Sequence, residues 1–235
     1  MSINAIMHEC VILFIHHEND PVTNNNLRIV RQSNPDYPVI PIYRNGVGVD
    51  GAINVSSPET DNMGGKENID IHLMEWFKRF NVPAKRYVYM ESDVFATQNF
   101  KEFFSTLWDE DCVGMNVWRK AAHKDKWFWF KYKHLAPEHM QQYATGLDPY
   151  ALFLISRRAL DAVCKLPVIP GMFCELRMST MVKASGFQVC CHPYGSETVM
   201  WRNIDGFDGR NVIKESPKVR GVYHPVKDYL LDLPT

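Results

Sequence analysis

Short apolar runs alternate along the first half of the chain with segments whose apolar residues recur at helical spacing. Residues 10–15, 39–43 and 86–90 consist mainly of β-branched and aromatic side chains, as in strands that are covered on both faces. Residues 27–32 and 70–80 lie between these runs, and their pattern predicts a helix in each. Strands separated by helices in this order are normally parallel and joined by right-handed crossovers. The first half therefore predicts a parallel α/β sheet.

The second half contains the same kinds of element in a less regular order. Its predicted elements are helices over residues 100–107, 157–164 and 175–185 and strands over residues 112–117, 151–155 and 187–192. Ser156 stands where a helix cap is expected, because its hydroxyl can accept a hydrogen bond from the first turn. The Gly- and Pro-containing tail from residue 195 to 235 is expected to be mostly loop. With 235 residues, the chain fits one α/β domain.

The composition excludes several classes of protein. An apolar share of 46% and a charged share of 23% are those of a globular chain. The net charge of −1 argues against general nucleic-acid binding, which requires a basic surface. No apolar run approaches the ~20 residues that cross a bilayer, and the six cysteines form no Cys-x-x-Cys pair. We therefore expect a cytoplasmic protein with reduced thiols and no transmembrane segment; a homodimer is compatible with this sequence.

Three polar segments follow the three strands predicted for the first half. They are residues 16–20 (His-His-Glu-Asn-Asp), residues 44–46 (Arg-Asn-Gly) and residues 91–93 (Glu-Ser-Asp). In open α/β sheets, ligands bind at the carboxyl ends of the strands, where the strand order reverses. These segments are therefore expected to form one ligand-binding edge.

The triplet Glu91-Ser92-Asp93 is the strongest local signal. A buried strand that delivers two carboxylates into a turn offers the hard oxygen ligands that Mg²⁺ or Mn²⁺ prefers, and such an ion commonly also binds phosphate oxygens. The alternative is a surface turn in which Asp93 caps a helix starting near Gln98.

Three later segments accompany the triplet: residues 146–160, which run from a Gly-Leu-Asp-Pro sequence into a strand and a Ser-Arg-Arg-Ala-Leu helix start, residues 173–177 (Phe-Cys-Glu-Leu-Arg), and residues 222–227 (Val-Tyr-His-Pro-Val-Lys). With these segments, the chain resembles nucleotide-sugar-dependent glycosyltransferases of the GT-A fold. The resemblance implies a single Rossmann-like α/β domain over residues 1–235, with a central mixed, mostly parallel sheet flanked by helices. Residues 1–95 would bind the nucleotide-sugar, and residues 96–235 would supply the acceptor side and the C-terminal tail.

The resemblance also implies roles for single residues. The family triplet is usually Asp-x-Asp, so the glutamate at its first position here makes Asp93 the stronger metal ligand and Glu91 the weaker one. A late histidine, His224, would be a further metal ligand, and Glu175 would be the general base of an inverting reaction. The residues expected to contact the nucleotide-sugar are His16, Asn19, Asp20, Arg44, Asn45, Glu91, Ser92 and Lys227.

The acceptor is expected to contact Gly146, Asp148, Trp127 and Trp129. Gly146 lacks a Cβ and would allow a sugar to approach the backbone, while the tryptophans would stack on the sugar. An aromatic core or interface patch would explain residues 127–132 equally well. The basic residues His123, Lys124, Lys126 and Lys131 would suit an anionic acceptor or a solvated loop. Glu175 at a helix start is also explained by the helix dipole, and His224 with Lys227 by a solvated tail.

The sequence thus predicts a Mn²⁺- or Mg²⁺-dependent glycosyltransferase that moves a hexosyl or pentosyl group from a nucleotide-sugar to a hydroxyl of a glycan or another acceptor, with inversion. A nucleotidyltransferase acting on sugar phosphates is one alternative, but its Gly-rich basic loop is expected where this chain has residues 16–20. A catalytically silent nucleotide- or sugar-binding module is the other alternative, which the glutamate at position 91 keeps open.

Overall fold

The computed structural model describes residues 6–44, 46–56, 68–119, 127–193, 216–227 and 229–234. The strands are β1 His8–His16, β2 Val39–Tyr43, β3 Ile53–Asn54, β4 Ala84–Glu91, β5 Phe95–Ala96, β6 Cys112–Arg119, β7 Thr145–Ser156, β8 Cys190–Cys191 and β9 Val222–Tyr223. The α-helices are α1 Pro21–Ser33, α2 Asp70–Phe80, α3 Phe100–Phe104, α4 Glu138–Gln141, α5 Arg157–Cys164 and α6 Cys174–Ala184, and 3-10 helices cover Ser105–Leu107 and Phe128–Leu135.

Seven strands form one mixed sheet in the order β3-β2-β1-β4-β7-β6-β8. The chain leaves β1 for β2 and β3 on one side and returns to β4 on the other, so the strand order reverses between β1 and β4. Both β2 and β4 are parallel to β1, whereas β7 is antiparallel to β4 and β6. The predicted mixed, mostly parallel sheet flanked by helices is confirmed. In the register, Glu91 lies opposite Ile15 at the carboxyl ends of β4 and β1.

Strand β1 is buried on both faces, which explains its continuous apolar run. Val11, Leu13 and Ile15 pack in the cluster that includes α2, α5 and α6. Their neighbours in β1 face the opposite way and pack with side chains of α1 and α3. Full burial of each such side chain stabilises the fold by about 1.5–3 kcal/mol relative to exposure. Burial of the whole strand therefore fixes its carboxyl end, where the polar segment begins.

Helix α1 starts at Pro21, so the prediction that it begins at residue 27 was wrong. Asp20 caps this helix, because its Oδ1 accepts a hydrogen bond of 2.6 Å from the backbone N–H of Thr23. Proline at the first helical position has the required φ and loses no hydrogen bond there. Asparagines at positions 24–26 are weak helix formers, which is why the pattern suggested a loop.

Strand β7 is twelve residues long and begins at Thr145, so the prediction that the strand starts at residue 151 was wrong. Gly146 and Leu147 pair with Trp118 and Val117 of β6, and this pairing overrides the low strand propensity of glycine and proline. The last β4 residue paired with β7 is Met90, opposite Leu152. The first half of β7 therefore extends beyond the carboxyl end of β4.

The remaining predicted boundaries lie closer to those of the structure. The predicted segments 39–43 and 70–80 match β2 and α2, and Ser156 caps α5 as expected, with its Oγ accepting from Ala159 N. The strand predicted over residues 187–192 is present only as β8. Within the described residues, no helix is long and apolar enough to cross a membrane.

Candidate functional site

Residues 91–94 form a tight turn, here called the acid turn, at the point where the strand order reverses. The backbone N–H of Val94 donates to the carbonyl of Glu91 over 3.0 Å and closes the turn. Asn26 of α1, which is fully buried, donates from Nδ2 to the carbonyl of Ser92 over 2.8 Å. The cap of α3 is Asn99 and not Asp93, so the alternative role of Asp93 as a helix cap is wrong.

The C-terminal segment is held against the acid turn by backbone pairing. Tyr223 in β9 lies opposite Phe95 in β5, immediately after the turn. The backbone N–H of Thr97 donates to the carbonyl of Gly221, and that of Val226 donates to the carbonyl of Asp93 over 2.8 Å. This pairing fixes the side chains between positions 223 and 227 relative to the acid turn.

The carboxylate of Asp93 lies between two basic side chains of the C-terminal segment. Nε2 of His224 is 3.2 Å from Oδ1 of Asp93, and Nζ of Lys227 is 3.3 Å from Oδ2. The Asp93 side chain is 19% exposed. Burial raises the pKa of its carboxyl, but the charges of His224 and Lys227 outweigh burial and hold that pKa below the usual value. Asp93 is therefore an ionised carboxylate at neutral pH.

Asp93 and His224 form a donor set that fits a divalent ion. A carboxylate oxygen suits Mn²⁺ and Mg²⁺, and an imidazole nitrogen favours Mn²⁺ of the two. Adjacent ligands of an octahedral ion with bonds of about 2.1 Å lie about 3 Å apart. The 3.2 Å between Oδ1 of Asp93 and Nε2 of His224 matches that spacing.

Glu91 does not join this pair. Among the residues that the structure describes, no three His, Cys, Asp or Glu side chains lie together as a metal-binding group. Burial raises the pKa of Cys174 and of Tyr89, and the negative charge of Glu91 adds to both shifts. The structure places Asp93, rather than Glu91, beside His224.

His16 ends β1 with one polar atom unsatisfied. Its side chain is fully buried, and Nδ1 lies 3.2 Å from the carbonyl of Glu18. Nε2 has no hydrogen-bond partner among the described residues. The ring lies against Tyr43 at the end of β2, with centroids 5.7 Å apart. A buried polar atom of this kind normally has a partner, which a ligand can supply.

Two further histidines lie at this edge: His17, which is in the predicted polar segment 16–20, and His72, which was not predicted. The rings of His17 and His72 meet edge to face with centroids 5.8 Å apart. Burial lowers the pKa of both, opposed at His17 by the charge of Asp93 and reinforced at His72 by Arg44. Arg44 is therefore buried near this pair. No pattern in the sequence singles out His72, which is part of the apolar face of α2.

Two residues expected to contact the nucleotide make hydrogen bonds within the chain. Asp20 caps α1, as described for the fold. Asn19 donates to the carbonyl of Gly48 over 3.0 Å and accepts from the side chain of Asn24 over 2.7 Å. Both residues therefore organise the loop between β1 and α1. Asn45 lies outside the described residues, as do His123, Lys124 and Lys126.

Asp148 and Glu175 form a second acidic cluster, here called the carboxylate pocket. Burial raises the pKa of Glu175 to about 8, and the charge of Asp148 adds to this shift. Hydrogen bonds from the Tyr150 backbone and the Trp129 side chain act in the opposite direction. Such a pKa matches a general base that works near neutral pH. Glu175, predicted as the base from its place at a helix start, thus stays the candidate for that role.

Tryptophan N–H groups hold the other carboxylate of the pocket. Burial raises the pKa of Asp148, whereas hydrogen bonds from Trp118 and Trp127 lower it. Nε1 of Trp118 is 3.1 Å from Oδ2 of Asp148. Trp118 was not among the predicted residues, because only the β6–β7 register brings it to Asp148.

Gly146 and Trp127, both expected to contact the acceptor, lie against each other in the structure. A Cβ at position 146 would lie 2.2 Å from the ring of Trp127, so this indole fills the space that the glycine leaves. Trp127 is buried and stacks on Trp118 with centroids 6.2 Å apart. Trp129 is only partly buried and stacks on Phe173, with centroids 3.9 Å apart and planes within 4°. Of the two predicted tryptophans, Trp129 alone stays partly accessible.

The acid turn and the carboxylate pocket adjoin each other across β4 and α6. Tyr89 of β4 meets Tyr150 of β7 edge to face, with centroids 5.0 Å apart. The charges of Glu175 and Glu91 both add to the rise that burial causes in the pKa of Cys174. The molecule therefore carries a metal-compatible pair and a high-pKa carboxyl on neighbouring elements, a combination typical of a catalytic site.

No protein-family model and no curated protein matches this sequence. Three solved structures with a similar chain path are glycosyltransferases. The galactosyltransferase LgtC, in complex with donor and acceptor sugar analogues, is 10% identical over 77% of this chain and 73% of its own, with a TM-score of 0.42. An active-site mutant of LgtC is 11% identical over 93% of this chain and 88% of its own, with a TM-score of 0.48. The bifunctional glycosyltransferase WbbM in its apo form is 8% identical over 81% of this chain and 40% of its own, with a TM-score of 0.45. With TM-scores below 0.5 and identities of 8–11%, these similarities carry no argument, so the function has to be argued from this chain's own residues.

Proposed function

We propose that this chain is a metal-dependent glycosyltransferase that moves a sugar from a nucleotide-sugar to an acceptor hydroxyl with inversion. One observation carries the proposal: the Asp93 carboxylate, at the reversal of strand order, lies within 3.3 Å of both His224 Nε2 and Lys227 Nζ. An acid and an imidazole offer two ligands to a cation, and the adjacent lysine offers a charge to an anion. This arrangement suits a metal diphosphate.

On the donor side, Asp93 and His224 would hold Mn²⁺ or Mg²⁺. Such an ion, when bound, neutralises charge on the diphosphate leaving group. Lys227 contributes a second positive charge, which stabilises the negative charge that develops as the sugar–phosphate bond breaks. Its side chain is half exposed and flexible, so it can turn from Asp93 toward a phosphate oxygen.

The end of β1 would hold the nucleotide. His16 offers a buried nitrogen without a partner, and Arg44 is a buried cation at the end of β2. Residues 1–95 thus bind the donor in this proposal. The C-terminal segment, assigned to the acceptor half from the sequence, joins the donor side through His224 and Lys227.

On the acceptor side, Glu175 would act as the general base. Its carboxylate accepts the proton of the acceptor hydroxyl while the hydroxyl oxygen attacks the anomeric carbon from the face opposite the diphosphate. A pKa of about 8 makes the carboxylate a stronger base than an ordinary glutamate. Single displacement from the opposite face inverts the anomeric configuration.

The proposal is tested with a panel of nucleotide-sugars, each with Mn²⁺, Mg²⁺ or a chelator. Release of nucleoside diphosphate is followed first, because hydrolysis needs no knowledge of the acceptor. The expected result is metal-dependent release from one class of donor, lost in Asp93→Ala and kept in Asp36→Ala, which changes an exposed aspartate outside the site. Transfer or hydrolysis that proceeds equally with chelator, or in Asp93→Ala, would contradict the metal assignment.

The stereochemistry is tested by NMR of the product formed from an active donor. Inversion is the result expected from single displacement with Glu175 as base. Retention of configuration would overturn that role and leave the metal site standing.

A further inference from the structure

The 3-10 helix Phe128–Leu135 presents an exposed face with unusual chemistry. With three residues per turn, Phe128, Lys131 and His134 lie in one row, and Leu135 follows them. All four are exposed, and the exposed fractions of Phe128 and Leu135 are 61% and 38%. Nζ of Lys131 lies 3.5 Å from the centroid of the Phe128 ring. This set of four residues is called the aromatic–basic face here.

The inner side of the same helix is firmly packed. Trp129 stacks on Phe173 of the segment before α6. Phe130 is buried and meets Trp127 edge to face, with centroids 5.2 Å apart. The aromatic–basic face is therefore held by a rigid backing, and the exposure of Phe128 does not come from a lack of packing beneath it.

The charge of this region differs from that of the whole chain. Residues 127–137 contain Lys131, Lys133 and His134, whereas the complete chain has a net charge of −1. From residue 127 to residue 137 there is no acidic side chain. An exposed phenylalanine and leucine set among lysines, without carboxylates, have the composition of segments that lie at anionic lipid surfaces.

The size of the face favours a lipid surface over a protein. A stable protein interface needs about 800 Å² from each partner, and two exposed apolar side chains fall well short of this. A lipid headgroup region adapts its shape to a small insertion and adds attraction to each nearby lysine. We propose that the aromatic–basic face docks this protein on an anionic bilayer, with Phe128 and Leu135 inserted among the headgroups and Lys131 facing the lipid charge.

Vesicle flotation tests the docking proposal independently of the proposed enzymatic activity. The full chain is mixed with phosphatidylcholine vesicles or with mixed phosphatidylcholine–phosphatidylglycerol vesicles, at low and physiological ionic strength. The expected result is partition onto the anionic vesicles only, weakened by salt. The double variant Phe128→Ser/Lys131→Gln should partition at least about tenfold less, since each lost lysine charge weakens binding about fivefold.

The chain offers a matched control at the end of α2. There the Arg79 guanidinium carbon lies 5.2 Å from the centroid of Phe80, which is itself 40% exposed. Arg79→Gln/Phe80→Ser removes the same chemistry elsewhere and should leave partition within about twofold of the wild type. The proposal is overturned by absence of vesicle binding, by equal binding of the two double variants, or by equal binding to neutral vesicles. Retention on a sulfated polysaccharide without vesicle binding would also overturn it, in favour of an acidic polymer.

Discussion

The imidazole Nε2 of His224 lies 3.2 Å from the carboxylate Oδ1 of Asp93, although the two residues belong to opposite halves of the chain. The contact depends on the pairing of β9 with β5 and on the backbone hydrogen bond from Val226 to Asp93. A cation bound by both side chains would connect the C-terminal segment to the acid turn. Metal binding and the stability of this segment should therefore be linked.

Asp93→Asn should abolish stabilisation by Mn²⁺, because the amide keeps the size of the side chain and removes the charge that holds the ion. At a Mn²⁺ concentration about 100 times the dissociation constant, the wild type should gain about 2.7 kcal/mol, or about 5–10 °C in melting temperature. Thermal unfolding with and without Mn²⁺ measures the effect. Asp36→Asn is the control, and a response of Asp93→Asn equal to that of the wild type would place the ion elsewhere.

Lys227→Gln should separate diphosphate binding from metal binding. Loss of a charge-assisted contact should weaken a nucleoside diphosphate about 10- to 100-fold in the presence of Mn²⁺. The affinity for Mn²⁺ alone should not fall, because the variant removes a positive charge 3.3 Å from Asp93. Calorimetric titration measures both quantities. Lys218→Gln changes an exposed lysine of the same tail and serves as the control. Weaker Mn²⁺ binding in Lys227→Gln would show that the lysine supports the metal site instead.

Much of the sheet could be predicted because strands that are buried on both faces leave continuous apolar runs. Residues 10–15 are the example, since all six are buried and lie within β1. The start of α1 could not be predicted in the same way. Asn26 is a weak helix former, and its side chain donates a hydrogen bond to the carbonyl of Ser92. This contact joins segments that are distant in sequence, so no local pattern predicts it.

The candidate site was predictable where position and residue type agree. Asp93 follows a buried strand, and His224 is a late histidine near a lysine, so both could be chosen from the sequence. Trp118 could not, because its contact with Asp148 arises from the register between β6 and β7. The environment of Gly146 could not be predicted for the same reason, since the pairing of β6 with β7 sets it, and the indole of Trp127 fills the space beside the glycine.

Glu175→Gln should lower turnover by about 10²–10⁴-fold while leaving nucleoside diphosphate binding unchanged, because the amide cannot accept the proton. The activity of the wild type should rise with pH through about 8, the pKa of this carboxyl. Steady-state rates across pH, with Glu138→Gln as an exposed control, test the role. A flat wild-type profile in this range, or full activity of Glu175→Gln, would exclude Glu175 as the base.

The same residue should also affect stability. Between its ordinary pKa of 4.5 and the folded-state value of about 8, the unfolded chain carries the ionised form and the folded chain the protonated form. The folded state therefore binds more protons, and stability falls as pH rises through this window. Across this pH window, the free energy of unfolding should fall by about 1–3 kcal/mol less in Glu175→Gln than in the wild type, after allowance for partial exposure. Denaturant unfolding at pH 5 and at about pH 8 compares the two proteins.

Two substitutions in the carboxylate pocket should move the pH profile in opposite directions. Trp129→Phe keeps an aromatic ring on Phe173 but removes the N–H that lowers the pKa of Glu175, so the profile should shift to higher pH. Asp148→Asn removes the negative charge that raises this pKa, so the profile should shift to lower pH. A merely structural role would change rates without moving the midpoint. The midpoints of the kcat/KM profiles against pH measure these shifts. Shifts of the same sign in both variants would refute the electrostatic coupling of Asp148 and Trp129 to Glu175.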